Sequence, residues 1–397
     1  MKRICHIVQS YYPRDPRIRR QAEALTDAGF DVDVVCLRGK AEKAREVVNG
    51  VNVYRVPLSR KRGGSLRYLF EYATFFCMAS LTMIARLGKR YGVIHVSNLP
   101  DFLVFSTAVP KLFGSRVLLD EHDPMPELFM SKFGSEEDSR LIKAIRWQEK
   151  ISVRFAHHVL TVNEAMRDHY VQVVGKKPVS VAMNLPDDKL FKPVANSGNA
   201  APGNGRFRLL YTGTVSDTYG LSLVVEAVAN LRSRIPGICL KIVGEGPDIP
   251  ALRDLSAKRG ISDLVEFTGV VPFDQVPVLI SESEVGVSTL KLDVLTNMCF
   301  NNKSAEYVAM GLPAIVTRNP VVERHFPEGV VRFFDAGSSD SFEQAVLDLY
   351  QSPQLREDMS RRGIEFSKTA NWSTEKTKYT TLIGDLCERR VTGNYTS

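Results

Sequence analysis

The chain has 397 residues, 44% hydrophobic and 24% charged, a soluble globular composition in a length too great for one ordinary core, so two domains are expected. The net charge of +7 comes from the first half alone: residues 1–190 hold 30 Lys and Arg against 21 Asp and Glu, and the remainder 22 against 24. Six scattered cysteines (Cys5, Cys36, Cys77, Cys239, Cys299, Cys387) form no C-x-x-C pair, which argues against a zinc cluster or disulfide framework and for reduced thiols in the cytoplasm.

No nucleic-acid motif accompanies the basic half, so no nucleic-acid partner is expected. The charge points to an anionic membrane surface or a phosphate-bearing acceptor, with a solvated basic face as the plain alternative. Met1-Lys2-Arg3 leads straight into Ile4-Cys5-His6-Ile7-Val8, too short for the apolar core of a signal peptide, and reads as a strand.

Pro16 to Ala28 reads as a helix with Asp15 as N-cap, Pro16 in its first turn and Gly29 as its stop. Strands follow at Val32 to Leu37 and Val51 to Val56. The most apolar stretch, Phe70 to Ala85, is shorter than the roughly 20 residues of a membrane span and carries Glu71. It reads as a buried helix, or as an interfacial one, because Arg60, Lys61 and Arg62 precede it and Arg86, Lys89 and Arg90 follow. Next come a strand at Val93 to Val96, a helix from about Asp101 and a strand at Arg116 to Asp120. A helix around Ile142 to Ala156 and strands at His158 to Val162 and Val179 to Ala182 complete this half. Alternating βα units imply a parallel sheet covered on both faces.

The carboxyl end of one of these strands is chemically loaded: Asp120-Glu121-His122-Asp123-Pro124-Met125-Pro126-Glu127. A His beside carboxylates suits sugar hydroxyls or proton transfer. Metal ligation is disfavoured there, since adjacent strand residues point to opposite faces. A cap-and-turn cluster is the plain reading.

Ala195 to Arg206 lacks any large apolar residue and reads as a linker. A second βα series runs from Phe207 to Thr317. Its helices fall at Leu221 to Ile235, Pro250 to Arg259, Phe273 to Glu282 and around Lys303. The fold class is therefore α/β, with two doubly wound, Rossmann-like domains and a substrate cleft between them: residues 1–190, a linker at 191–206, and 207–370. Residues 371–397 form a last amphipathic helix.

Three loops of the second half suit a nucleotide diphosphate. Gly213 and Thr214, after the first strand, let backbone approach a phosphate. Gly244-Glu245-Gly246-Pro247 is a tight turn suited to lining a base. Asn302-Lys303-Ser304-Ala305-Glu306-Tyr307 places a cation and a carboxylate on one helix face, for phosphate and ribose hydroxyls. Ordinary βα turns and a solvated Lys/Glu pair are the plain readings. No P-loop is present.

This ordered series, with Val265 to Val271, Gly311-Leu312-Pro313, Asn184, Phe191, Pro193 and Trp372, resembles the family-4 glycosyltransferases, retaining enzymes of the GT-B fold. Tyr12 to Arg20 resembles the opening loop of members acting on bacterial surface polysaccharides.

The resemblance implies a metal-independent, cytoplasmic or peripheral membrane transferase without a cofactor. It would use a nucleotide-diphosphate sugar and a lipid-linked or glycan acceptor. Glu306 would bind ribose; Gly213, Thr214 and Lys303 would lie by the diphosphate; Gly244 to Pro247 would flank the base; Asn302 and Tyr307 would also serve the donor. His122 would contact the transferred sugar. Tyr12, Arg17, Arg20, Asp101 and Glu127 would serve the acceptor, and the last helix would cross back to the first domain.

Three positions depart from the family pattern. Met298 stands where an acid is usual, Thr214 where an Arg is, and Tyr219 where a Lys is. These departures also suit a non-catalytic binding or scaffolding subunit of a polysaccharide-assembly complex.

Overall fold

A computed structural model describes residues 2–60, 65–175, 177–193 and 205–388. The chain divides into two compact units, one of Met1–Asn184 with Glu375–Ser397 and one of Leu185–Thr374. Lys61, Arg62, most of the expected linker and the last residues of the expected final helix lie outside the described residues.

The first unit is built on β1 (Arg3–Ile7), β2 (Asp31–Leu37), β3 (Arg45–Val48), β4 (Val51–Val56), β5 (Val93–Ser97), β6 (Arg116–Glu121), β7 (His158–Thr161) and β8 (Val179–Val181). Their order is β3-β4-β2-β1-β5-β6-β7-β8, all parallel except the β3–β4 pair. That hairpin was not expected from the sequence. Its turn is Asn49-Gly50, both at positive φ (51° and 79°), as a two-residue hairpin requires.

The helices of this unit are α1 (Pro16–Asp27), α2 (Ser65–Ala85), α3 (Ala108–Leu112), α4 (Met125–Phe133), α5 (Arg140–Phe155) and α6 (Glu164–Val174). Asp15 caps α1, accepting from the N–H groups of Arg17 and Ile18 at 3.2 and 3.4 Å. Ile18, Ala22 and Leu25, spaced for one helix face, pack against Ile4, Val34 and Val53. Each large aliphatic side chain so buried contributes about 1.5–3 kcal/mol. The helix expected from Asp101 is a 3-10 helix, Asp101–Thr107, running into α3.

Among the described residues, one edge of α2 is buried: Glu71, Phe75, Ala79 and Met83, every fourth residue. Leu69, Phe70, Leu81 and Ile84 are exposed. Among the described residues, no helix is long and apolar enough to cross a membrane.

The second unit has a six-stranded parallel sheet in the order β11-β10-β9-β12-β13-β14. The strands are β9 (Phe207–Thr212), β10 (Ile238–Val243), β11 (Val265–Gly269), β12 (Val285–Ser288), β13 (Ala314–Thr317) and β14 (Arg332–Phe334). Its helices are α7 (Leu221–Leu231), α8 (Ile249–Lys258), α9 (Val276–Ser281), α10 (Asn302–Ala309), α11 (Pro320–His325), α12 (Ser339–Gln351) and α13 (Pro353–Ser367).

The final helix, α14 (Trp372–Glu388), starts in the second unit and passes into the first at Glu375. Its Tyr379, Leu382, Ile383 and Leu386 join the core formed by Ile4, Val93 and Leu118. In both sheets the strand order reverses beside the first strand of the unit, β1 or β9, which is where open α/β sheets bind ligands.

Candidate functional site

In the second unit the loops after β9 and β10 are knit through their backbones. Gly213 N–H donates to the carbonyl of Val243 at 2.8 Å, and Val215 N–H to that of Glu245 at 2.9 Å. The approach is close enough to demand glycine. A Cβ on Gly244 would lie 1.9 Å from the carbonyl oxygen of Gly213, and one on Gly246 1.8 Å from that of Val215. Gly213 (φ 125°) and Gly244 (φ 139°) also hold backbone angles that other residues rarely adopt.

Beneath this ridge lies Lys303, from the first turn of α10. It is only 7% exposed. Its Nζ donates to the Tyr211 hydroxyl at 3.3 Å and stands 4.4 and 4.0 Å from the ring centroids of Tyr211 and Tyr219. The Tyr211 hydroxyl in turn donates to the carbonyl of Thr214 at 2.5 Å. A Cβ on Gly213 would meet the Lys303 Cε at 3.3 Å, so the ammonium lies directly against the glycine ridge. Burial among aromatic rings pushes its pKa down to about 7, with Glu306 opposing the shift. A dianionic ligand at this ridge would return the lysine to its charged form.

Glu306 follows three residues later, half-buried on the same side of α10, and Asn302 is exposed at its start. Tyr307, expected at the donor, is instead fully buried and takes a structural part. Its hydroxyl accepts from the Thr212 N–H at 2.9 Å. Gly286 makes room for its ring, since a Cβ there would stand 2.3 Å from it. Gly213, Thr214, Glu245 and Pro247 are exposed, and Gly244 and Gly246 half-buried.

Met298, at the departure from the family pattern, ends a 3-10 turn, Thr296–Met298. Asp293, upstream in the same loop, caps that turn by accepting from the N–H groups of Leu295 and Thr296 at 2.9 and 2.7 Å.

In the first unit, Asp120 and Glu121 at the end of β6 point to opposite faces, as strand geometry requires. Asp120 lies 3.2 Å from His95 Nε2. Burial alone would raise its pKa, but His95 and Arg17 hold it below the usual carboxylate range. His122 is half-buried and its N–H donates to Asn98 Oδ1 at 3.2 Å. Burial and the Arg17 guanidinium push its imidazole down to about 3, so it is neutral at physiological pH.

Arg17 is largely buried, 3.9 Å from Asp15. Its field reaches His6, Asp120, His122 and Asp123, so Arg17 is the cation beside a neutral His122.

Other expected acceptor residues turn inward. Tyr12 is fully buried in the core beside Ile18 and Cys36. Asp101 is fully buried and accepts from Asn98 at 3.3 Å; burial and the nearby Glu149 push its pKa up to about 8. Glu127 is buried and paired with Arg146 at 3.0 Å. Arg20 is half-buried on α1. The aromatic box of Tyr211 and Tyr219 escaped the sequence reading, because a tyrosine before or after a glycine loop looks like any strand or helix residue. Lys291 escaped too. Its N–H donates to the Thr218 carbonyl at 2.8 Å and its ammonium pairs with Asp217, placing a cation over the 217–220 turn.

Residues 15–184 match the family described as a glycosyl transferase 4-like domain, and residues 206–352 match glycosyl transferases group 1. The alpha-D-kanosaminyltransferase of Streptomyces kanamyceticus is 25% identical over 257 residues, 59% of this chain and 63% of that protein, so the match spans less than two thirds of the relative's length. Among solved structures, sucrose-phosphate synthase from Thermosynechococcus elongatus superposes with a TM-score of 0.79 at 18% identity, over 98% of this chain and 100% of that one. Anabaena HepE, solved in complex with UDP, gives 0.70 at 15% identity over 97% and 100%. The two domain matches in tandem and the two doubly wound sheets place this chain in the family-4, group 1 glycosyltransferases of the GT-B fold.

Proposed function

We propose that this protein transfers a sugar, with retention of configuration, from a nucleotide-diphosphate sugar to a lipid-linked or glycan acceptor. The observation that carries the reading is Lys303, buried between Tyr211 and Tyr219 against the Gly213 backbone. A buried, partly neutralised ammonium under a glycine ridge is a preorganised receptor for a departing diphosphate and costs no reorganisation during the reaction. Glu306 would accept hydrogen bonds from ribose hydroxyls, and the Gly244 to Pro247 turn would flank the base. That HepE, which shares this fold, was solved in complex with UDP supports a nucleotide ligand here. The donor diphosphate itself would take the acceptor proton, so the donor site needs no metal and no protein nucleophile. His122, held neutral, would accept or donate a hydrogen bond at a sugar hydroxyl, and Arg17 would supply the charge beside it.

The acceptor side would work at an anionic membrane surface on the cytoplasmic face. The exposed stripe Phe70, Leu81 and Ile84 of α2 supports this, together with exposed Leu112 and Phe113. Lys89 and Arg90 stand exposed just beyond the helix. An apolar face fringed with cations suits an interfacial element.

A thermal-shift series with UDP, GDP, ADP and dTDP, with and without EDTA, tests the donor site. One nucleotide should raise the melting temperature of the wild type but not of Glu306→Ala, with a shift unaltered by EDTA. No shift with any of them favours the scaffolding role, for which Met298, Thr214 and Tyr219 are the supporting observations. In that case the double substitution Met298→Glu, Thr214→Arg should create donor hydrolysis where the wild type has none.

A further inference from the structure

Behind His122 the first unit buries a second group of carboxylates that the transfer reaction does not use. Asp101 opens the 3-10 helix, Glu121 ends β6, Glu127 lies on α4 and Glu149 on α5; all four are buried. His169, on α6, points into the same group with its Nε2 3.5 Å from Glu149 Oε1.

Three of the carboxylates show the same pattern. One oxygen is held by a protein donor while the other is buried without a hydrogen-bond partner. Asp101 Oδ1 accepts from Asn98, and Oδ2 has no partner. Glu121 Oε2 accepts from Asn98 and from the Tyr170 hydroxyl, and Oε1 has none. Glu127 Oε1 accepts from Arg146 at 3.0 Å, and Oε2 has none.

A buried oxygen that has given up water and gained no partner costs about 1–3 kcal/mol, more if charged. Arg146 is the guanidinium bonded within this group, and its other arm reaches out to the exposed Glu137. Burial pushes the Asp101 and Glu121 carboxyls up towards their neutral forms, so the unpartnered oxygen that bears on a cation is that of Glu127, beside Glu149 and His169.

One nitrogen and two carboxylate oxygens, from Glu127, Glu149 and His169, lie within 4.8 Å of one another. A zinc ion with bonds of about 2.0–2.2 Å sets its tetrahedral ligands about 3.3 Å apart. The 3.5 Å separation of His169 Nε2 and Glu149 Oε1 already matches that edge.

We infer that Glu127, Glu149 and His169 bind one divalent cation, Zn2+ by their donor set, joining α4, α5 and α6 in the first unit. An imidazole among carboxylates favours Zn2+ over Mg2+, which prefers oxygen ligands and retains its waters. Arg146 on the second oxygen of Glu127 is the outer partner that orients a ligating carboxylate. The site is separate from the donor loops, which belong to the second unit.

The test starts from the full chain cleared with EDTA and dialysed, then titrated with ZnCl2 by calorimetry. His169→Ala and Glu149→Gln are titrated alongside, and all three proteins are melted with and without Zn2+. The expected result is one Zn2+ per wild-type chain, a higher melting temperature with Zn2+, and at least tenfold weaker binding in both variants. Absence of 1:1 Zn2+ binding to the wild type overturns the inference, as does undiminished binding in either variant. Because a variant could fail to fold, anomalous diffraction at the zinc edge from wild-type crystals decides independently. A peak between these three side chains supports the site, and Zn2+ located elsewhere overturns it. Nucleotide-induced melting shifts should be the same with and without Zn2+, which keeps this result distinct from that of the donor site.

Discussion

The Tyr307 hydroxyl accepts a hydrogen bond from the backbone N–H of Thr212 at 2.9 Å, fastening the middle of α10 to the last residue of β9. Lys303 and Glu306 lie on α10 and Gly213 follows Thr212, so this one bond sets the helix that carries the charges against the loop that would carry the phosphates. Tyr307→Phe leaves the Thr212 N–H buried and unsatisfied, a loss of about 1–3 kcal/mol. The melting temperature should fall by about 2–4 °C for each kcal/mol, and nucleotide affinity should fall with it. A calorimetric scan with and without nucleotide checks both, and an unchanged melting curve contradicts the assigned role.

Lys303 should make nucleotide binding depend on pH. Burial has lowered its pKa to about 7, and a bound diphosphate would raise it again. Below pH 7 the lysine is charged before the ligand arrives. Above it, each binding event must take up a proton, so affinity should fall by up to about tenfold per pH unit from pH 7 towards the raised value of the complex. Titration calorimetry in two buffers of different ionisation enthalpy would report that proton uptake at pH 8. Lys303→Met should abolish the uptake and weaken binding at pH 7.

Gly244→Ala is predicted to disrupt the second unit. Its Cβ would stand 1.9 Å from the Gly213 carbonyl oxygen, and the backbone angle is unfavourable as well. A loss of about 2–4 kcal/mol is expected from backbone displacement and strain, beyond the usual range for surface changes. Gly134→Ala serves as a contrast. It has positive φ but nothing within 4 Å, so only the smaller conformational cost applies. Chemical denaturation of the two variants side by side gives the comparison.

For the membrane surface, the double substitution Phe70→Asp, Leu81→Asp should abolish sedimentation with vesicles of anionic phospholipid without changing nucleotide affinity. Both side chains are exposed, at 68% and 67%, so their replacement removes no core packing. High salt should weaken wild-type binding, because part of the attraction is electrostatic. Wild-type protein that stays in the supernatant in low salt refutes the surface assignment.

Strands of the sheet cores were readable in the sequence because Val and Ile runs such as Val32 to Leu37 leave few alternatives. The α1 boundary was equally plain: Asp15 and Pro16 announce it and Asp15 does cap it. The β3 strand was not readable. Arg45-Glu46-Val47-Val48 is polar and lies at the sheet edge, where pairing with β4 and the Asn49-Gly50 turn decide the outcome.

At the candidate site, Lys303 and Glu306 were visible because a charge spacing of three on a helix is local information. Tyr12, Asp101 and Tyr307, expected at ligands, are buried, since a polar group reads the same in sequence whether it faces solvent or core. The Tyr219 side of the lysine box was hidden for a different reason: its ring meets Lys303 across 84 residues of sequence.

The contact of the β9 and β10 loops through Gly213, Gly244 and Gly246 bears on how this protein could change. Two segments that touch backbone to backbone cannot be altered one at a time. A larger residue in either displaces the other, and with it the lysine below. Diversification for a new donor base should therefore succeed at the exposed Glu245 and Pro247, whose side chains leave that contact. It should fail at Gly213, Gly244 and Gly246 unless both loops are exchanged together as a single cassette.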